Sequence, residues 1–169
     1  MNLKKIIIFY PSFERGGVEL ILVNLINYFL KKKIKIVLLS ANFKDYKIVS
    51  NNLFKLKKFE NKKNNFLPKR VSSALNASKA LIDELKKSDV KNTIVFSLQS
   101  SSLSILLSKI FKFKIVVRNA EDPIYSTIYA ERKFFALFVL LLKVFTYNFA
   151  DGIITNSIGS KRSIKKLIF

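Results

Sequence analysis

Residues 4–29 read KKIIIFYPSFERGGVELILVNLINYF, and their pattern decides the fold. Lys5 to Tyr10 is a nearly continuous apolar run, the pattern of a strand covered on both faces in a parallel sheet. Pro11 closes that run, and Pro11 to Gly17 reads as a loop. Val18 to Leu30 then reads as a helix, in which Glu19, Asn24, Asn27 and Lys31 form one polar stripe. A strand, a short loop and a helix in that order open a strand–helix–strand unit.

The same alternation continues outward from this opening. Ile34 to Ser40 reads as a second strand, and the alternating Leu53 to Phe59 as an edge strand guarded by lysines. Asn61 to Asn65 is a polar loop, and Pro68 opens a helix running to about Lys87. Thr93 to Ser97 is a buried strand, and Ser100 to Ser102 supply N-caps for a helix from Leu103 to Phe111. Lys114 to Arg118 is a strand, and Tyr125 to Phe149 is predicted as one long helix. Gly152 to Asn156 is a last strand, after which Ser157 caps a short helix still in progress at Phe169. Strand–helix–strand units of this length close as right-handed parallel crossovers. The expected fold is therefore α/β, a doubly wound, mostly parallel Rossmann-like sheet in a single domain over residues 1–169.

Composition narrows the chemistry. The 169 residues contain no cysteine and no histidine, which removes thiolate chemistry, the commonest general base and the commonest zinc ligand. Carboxylates, lysine, arginine, hydroxyls and backbone groups remain, and no metal site is expected. The formal net charge of +20 is spread along the chain and forms no single arm. It fits an anionic membrane surface, or an AT-biased coding sequence whose lysines fill solvent-facing positions. Nucleic acid is disfavoured, because the phenylalanines fall in apolar periodic segments and make no stacking platform. Five apolar residues before Pro11 are too few for a signal peptide. Phe134 to Leu142 falls short of the about 20 residues a spanning helix needs. A segment so apolar is expected to be a core helix, with a membrane-facing helix as the alternative. The expected setting is cytoplasmic, with peripheral attachment to the inner face of the membrane left open.

Ligands of open parallel sheets bind at the carboxyl ends of the strands. Those ends here are Pro11 to Gly17, Leu98-Gln99-Ser100, Arg118 to Asp122, and Asn156 to Lys161. Gly16-Gly17, beside Arg15, lets the backbone approach an anion, or simply reverses the chain. The dinucleotide and P-loop fingerprints are absent, which disfavours nicotinamide-dependent hydride transfer and P-loop ATP hydrolysis. Glu14, Glu121 and Asp122 are candidate general bases, or else partners of Arg15 and Arg118 or helix caps. Arg118 suits phosphate or carboxylate, or pairs with Asp122. Asn119, Ser157 and Lys161 complete the expected cleft edge.

Three segments in order resemble glycosyltransferase family 4 enzymes of the GT-B type. The opening run is similar to that family's first strand, Gly-Gly loop and following Glu, here Gly16, Gly17 and Glu19. KIVVRNAEDP is similar to the segment after its fifth strand, and FADGIITNSIGSKRSI to the AD-x-I-x-x-S segment that enters the last helix of the N-terminal domain. Many members carry a histidine where this chain has Arg118-Asn119, so no histidine role transfers. The resemblance implies an acceptor-side N-terminal domain whose Gly-Gly loop approaches the donor diphosphate. It also implies a second domain, with paired glutamates, that holds the nucleotide sugar. That C-terminal donor-binding domain is not in the chain, whose abrupt apolar end suggests a fragment, inactive on its own. The implied activity is metal-free, anomer-retaining transfer of a sugar, of the hexosyltransferase kind, to a lipid-linked or polysaccharide acceptor in cell-envelope glycan synthesis. No cofactor is implied beyond the nucleotide-sugar co-substrate. The other reading is a non-catalytic module that binds a nucleotide, a sugar or an anionic polymer at the same edge.

Overall fold

The computed structural model describes residues 3–11, 17–41, 43, 48, 52–59 and 69–168. Six strands make one all-parallel sheet. They are β1 (Lys5–Phe9), β2 (Lys35–Leu39), β3 (Phe54–Lys57), β4 (Thr93–Ser97), β5 (Lys114–Asn119) and β6 (Gly152–Thr155), in spatial order β3-β2-β1-β4-β5-β6. This is the doubly wound order, in which the chain starts at the centre, builds to one edge and returns to build the other. β1 is hydrogen-bonded on both sides, in register with Lys35 to Leu39 and with Thr93 to Ser97.

The apolar run of β1 is continuous because both of its faces are covered. Ile7 and Phe9 point into a core shared with Val37, Val95, Ile115 and Val117 of the sheet. Helices α2 (Lys69–Lys86), α3 (Ser101–Ile110), α5 (Lys133–Tyr147) and α6 (Ile158–Leu167) close that side with Leu81, Ile105, Tyr147 and Ile164. Ile6, Ile8 and Tyr10 face the other way, onto Leu22, Ile26 and Leu30 of α1 (Gly17–Lys31). On the α1 side the β5–β6 half is less covered: Val116 is half-buried and Ile154 exposed.

The helix ends show how a chain with four glycines stops its helices. Lys33 (φ 57°) and Lys112 (φ 60°) take the left-handed position that glycine usually fills. Each lets the next residue reach back five positions, Ile34 N–H to the Phe29 carbonyl and Phe113 N–H to the Ser108 carbonyl.

Three expectations change. The polar stripe of α1 is not uniformly wet, because Glu19 is 2% exposed and accepts a hydrogen bond from the Tyr10 hydroxyl at 2.5 Å. The wet stripe instead carries Leu20, Ile21, Asn24 and Tyr28. The single helix expected over 125–149 is two, α4 (Pro123–Ile128) and α5, separated by residues 129–132. No glycine or proline lies in that break, so tertiary packing makes it. The Asp122 carboxylate caps α4 at Ile124 N–H and accepts the Ser163 hydroxyl of α6, whereas α5 turns away to pack on α3. Finally, α6 does not run to the last residue but closes at Leu167, where Ile168 N–H bonds the Ile164 carbonyl.

Two polar ties set the frame. Asp151 accepts from Lys109 Nζ at 2.7 Å and from Ile115 N–H at 2.8 Å, fixing the entry to β6 against α3 and β5. Glu84 of α2 is salt-bridged to Lys5 of β1 at 2.5 Å and to Lys57 of β3 at 3.2 Å. Burial on its own would raise the Glu84 carboxyl, but the hydrogen bonds and charges of Lys5 and Lys57 outweigh it and hold it below its ordinary value.

Because the folded carboxyl ionises below the unfolded one, its stabilisation is full above the unfolded value and is lost as pH falls through the folded value. Glu84→Gln is expected to lower stability by about 2–3 kcal/mol at neutral pH, since it strands two partly buried ammonium groups. The gap to the parent should close as the pH drops below about 4 in denaturant titrations. Acid limbs that run parallel in the two proteins would contradict this role.

Candidate functional site

The strand order reverses between β1 and β4, the position at which open parallel sheets bind their ligands. A cleft of ≈ 540 Å³ opens at this point. One wall is the end of β1, with Tyr10 and Pro11, together with Val18 of α1. The second is the run Leu98 to Leu103, from the end of β4 into the first turn of α3. The third is Arg118 to Glu121 after β5, and α5 closes the cleft with Phe135, Val139, Leu142, Lys143 and Tyr147.

The polar groups of the cleft are organised around Asn119, which is 4% exposed. Its Oδ1 accepts from the Tyr147 hydroxyl at 3.0 Å and lies 3.5 Å from Lys143 Nζ, while its Nδ2 donates to the Glu121 carbonyl. Burial pushes the Tyr147 phenol up to about 12, against a lowering hydrogen bond with Ser101, so it stays a neutral donor. Burial also lowers the Lys143 ammonium, which the Glu121 carboxylate partly offsets. Arg118 is 8% exposed, and its Nη1 is buried with no hydrogen-bond partner among the described residues. Ser100 is held at φ 52°, ψ 42°, a strained backbone for a residue with a Cβ, and its side chain does not cap α3.

Of the residues singled out in the sequence, the structure brings Arg118, Asn119 and Glu121 to the cleft. Ser157 and Lys161 do not line it. Ser157 caps α6, accepting from Ser160 N–H at 3.1 Å. Asp122 caps α4 and accepts from Ser163 at 2.5 Å, so its carboxylate is held by structure rather than pairing with Arg118. The hydrogen bond from Ser163, together with the α4 N–H groups, outweighs a raising effect of burial and lowers its carboxyl. Gly17 is the first residue of α1, with open space where a Cβ would stand. Glu14, Arg15 and Gly16 lie outside the described residues. Among the described residues no cluster of three or more acidic groups is placed to hold a metal ion.

Sequence reasoning missed Tyr10, Lys143 and Tyr147. Lys143 carried a usable signal, as the one charge between Phe134 and Phe149. Spacing also separates the two faces of α5. Phe135, Val139, Leu142 and Lys143 face the cleft, whereas Phe134, Leu137, Phe138, Leu141 and Phe145 face outward. The outward side chains are 88%, 49%, 53%, 59% and 64% exposed, so α5 is not the core helix expected of so apolar a segment. Among the described residues no helix is long and apolar enough to cross a membrane.

No protein-family profile and no curated protein matches the chain. Among solved structures it superposes on Phytolacca americana UGT2, complexed with UDP-2fluoro-glucose and pterostilbene, with a TM-score of 0.63. Identity is 13%, over 98% of this chain and 51% of that one, so this chain spans about half the length of the structure it matches. The likeness is one of fold: a single α/β domain with an all-parallel sheet, matching one Rossmann-like half of a GT-B fold.

Proposed function

We propose that the chain is the acceptor-side, N-terminal half of a nucleotide-sugar-dependent glycosyltransferase of the family 4 type. The observation that carries this reading is the cleft at the β1–β4 reversal, in a fold that matches half of a GT-B enzyme. UGT2 was solved with UDP-2fluoro-glucose, and the nucleotide-sugar class is carried over from it. In such a transfer the bond from the anomeric carbon to the diphosphate oxygen breaks and a bond to an acceptor hydroxyl oxygen forms. The hydroxyl proton passes to a base, and the nucleoside diphosphate leaves. Glu121 is the carboxylate that lines the described cleft. The donor, in this reading, is held by a second domain.

The acceptor we infer is lipid-linked, used at a membrane face in cell-envelope glycan synthesis. Support comes from the exposed apolar side chains of α5 and from Tyr125, Ile128 and Tyr129, which are exposed in and after the adjoining α4. Fully burying each such side chain is worth roughly 1.5–3 kcal/mol, so an uncovered stripe of this size signals an apolar partner. Exposed cations lie at the start of α5, Arg132 and Lys133, and on α6, which packs on α4, at Lys161, Arg162, Lys165 and Lys166. Apolar aromatics flanked by cations suit the headgroup region of an anionic leaflet.

Calorimetry separates this reading from a stand-alone binding module. The chain by itself should bind UDP- and GDP-sugars no more tightly than about 1 mM, the weak end of the affinity scale. Micromolar affinity for a nucleotide sugar would favour the non-catalytic module.

Liposome co-sedimentation addresses the membrane face. The chain should bind anionic vesicles at low salt and release them as salt rises. Replacing Phe134, Phe138 and Leu141 together by serine should weaken binding at least ~10-fold while leaving the thermal midpoint within a few degrees, since exposed side chains add little to the fold. Absence of vesicle binding, or collapse of the triple variant, would refute the claim.

A further inference from the structure

The proposed transfer gives no role to Lys143, the ammonium on the α5 wall of the cleft. Lys5, Lys57 and Lys109 each rest on a carboxylate, at 2.5, 3.2 and 2.7 Å. Among the described residues Lys143 rests on none, and its contact is Asn119 Oδ1 at 3.5 Å. An enclosed charge without a counter-charge costs free energy, and burial accordingly lowers this ammonium. Glu121 stands near enough to offset part of that lowering, yet the two side chains form no ion pair. Arg118 belongs elsewhere: successive strand residues point to opposite faces of a sheet, so it turns away from Asn119, and its Nη1 is closed off.

The neutral groups around Lys143 are already engaged. Asn119 Oδ1 accepts from the Tyr147 hydroxyl at 3.0 Å, and Asn119 Nδ2 donates to the Glu121 carbonyl. The Tyr147 hydroxyl is hydrogen-bonded with Ser101 as well. An ammonium carries three N–H groups, and Asn119 engages one of them, which leaves two for a ligand. Two further features bound that ligand. Ser100, Ser101 and Ser102 line another wall of the cleft, and Phe135, Val139 and Leu142 line the α5 wall, a mixture that suits a ring with hydroxyls on its rim and C–H groups on its face. Glu121 is exposed in the same cleft and opposes a second negative charge, so a monoanion matches the site better than a dianion.

We propose that Lys143 binds the carboxylate of an acidic sugar, a hexuronic acid unit at which the acceptor is extended, with the ring hydroxyls against the Ser100 to Ser102 wall. The inference rests on reading the cleft as an acceptor site, and it names the sugar that occupies it. A carboxylate is also available from a small free acid and ring hydroxyls from a neutral sugar, and the two are separable from a hexuronic acid.

The test uses the full chain with no sugar donor present, so that its failure leaves the transferase reading standing. Methyl glucuronide, methyl glucoside, acetate and inorganic phosphate are titrated by calorimetry. The parent chain should bind the glucuronide at least ~10-fold more tightly than the glucoside or acetate, the effect of one charge-assisted contact added to those of the ring. Lys143→Met should remove that advantage and leave glucoside binding unchanged. Its thermal midpoint without ligand should hold or rise, because an enclosed unpaired charge is gone. Lys143→Gln should lose the same advantage. Equal affinity for glucuronide and glucoside, or glucuronide binding unchanged in both variants, would overturn the carboxylate assignment. Acetate or phosphate binding as tight as that of the glucuronide would overturn the sugar. Collapse of both variants would make Lys143 a structural residue and equally overturn the proposal.

Discussion

β1 is hydrogen-bonded to β2 on one side and to β4 on the other, and the position of the cleft follows from that pairing. Right-handed crossovers put α1 on one face of the sheet and α2 and α3 on the opposite face, because the chain builds outward from β1 in both directions. The cleft accordingly lies at the carboxyl end of the sheet, against the ends of β1 and β4. The strained Ser100 and the buried Tyr10–Glu19 pair flank that crevice. The Glu84 and Asp151 ties hold the strands and helices that frame it.

The electrostatics of the cleft are uneven in a way that suits anion capture. Arg118 and Lys143 are enclosed and Glu121 is exposed, so the positive charges are the less screened ones. Tyr147 stays a neutral donor, and its hydroxyl, together with Lys143, holds Asn119 in place. α5 joins this polar end to a surface of phenylalanine and leucine.

Much of the fold was legible in the sequence because the apolar runs of β1, β2, β4 and β5 and the helical periods between them differ in pattern. The edge strand at Phe54–Lys57 was legible from its alternation, although Lys57, on the face expected to be wet, is partly buried against Glu84 of α2. The break between α4 and α5 was not, because residues 129–132 contain no glycine or proline and the turn is tied to tertiary contacts, α4 packing on both α5 and α6. Arg118, Asn119 and Glu121 could be placed at a strand end, but Lys143 and Tyr147 reach the cleft from a helix that follows later in the chain. Local pattern carries no information about that return. Two residues of the Ala150 to Ser157 segment, which carries part of the family resemblance, do structural work here: Asp151 pins β6 and Ser157 caps α6. Hydrophobicity alone misassigned α5, since an apolar helix reads the same whether it faces a core or a membrane.

The most direct measurement follows labelled sugar. Membranes from cells making the intact gene product are supplied with radiolabelled UDP- and GDP-hexoses and then extracted with organic solvent. Gene-dependent label is expected in the lipid extract. Label that appears only in water-soluble products would contradict a lipid-linked acceptor.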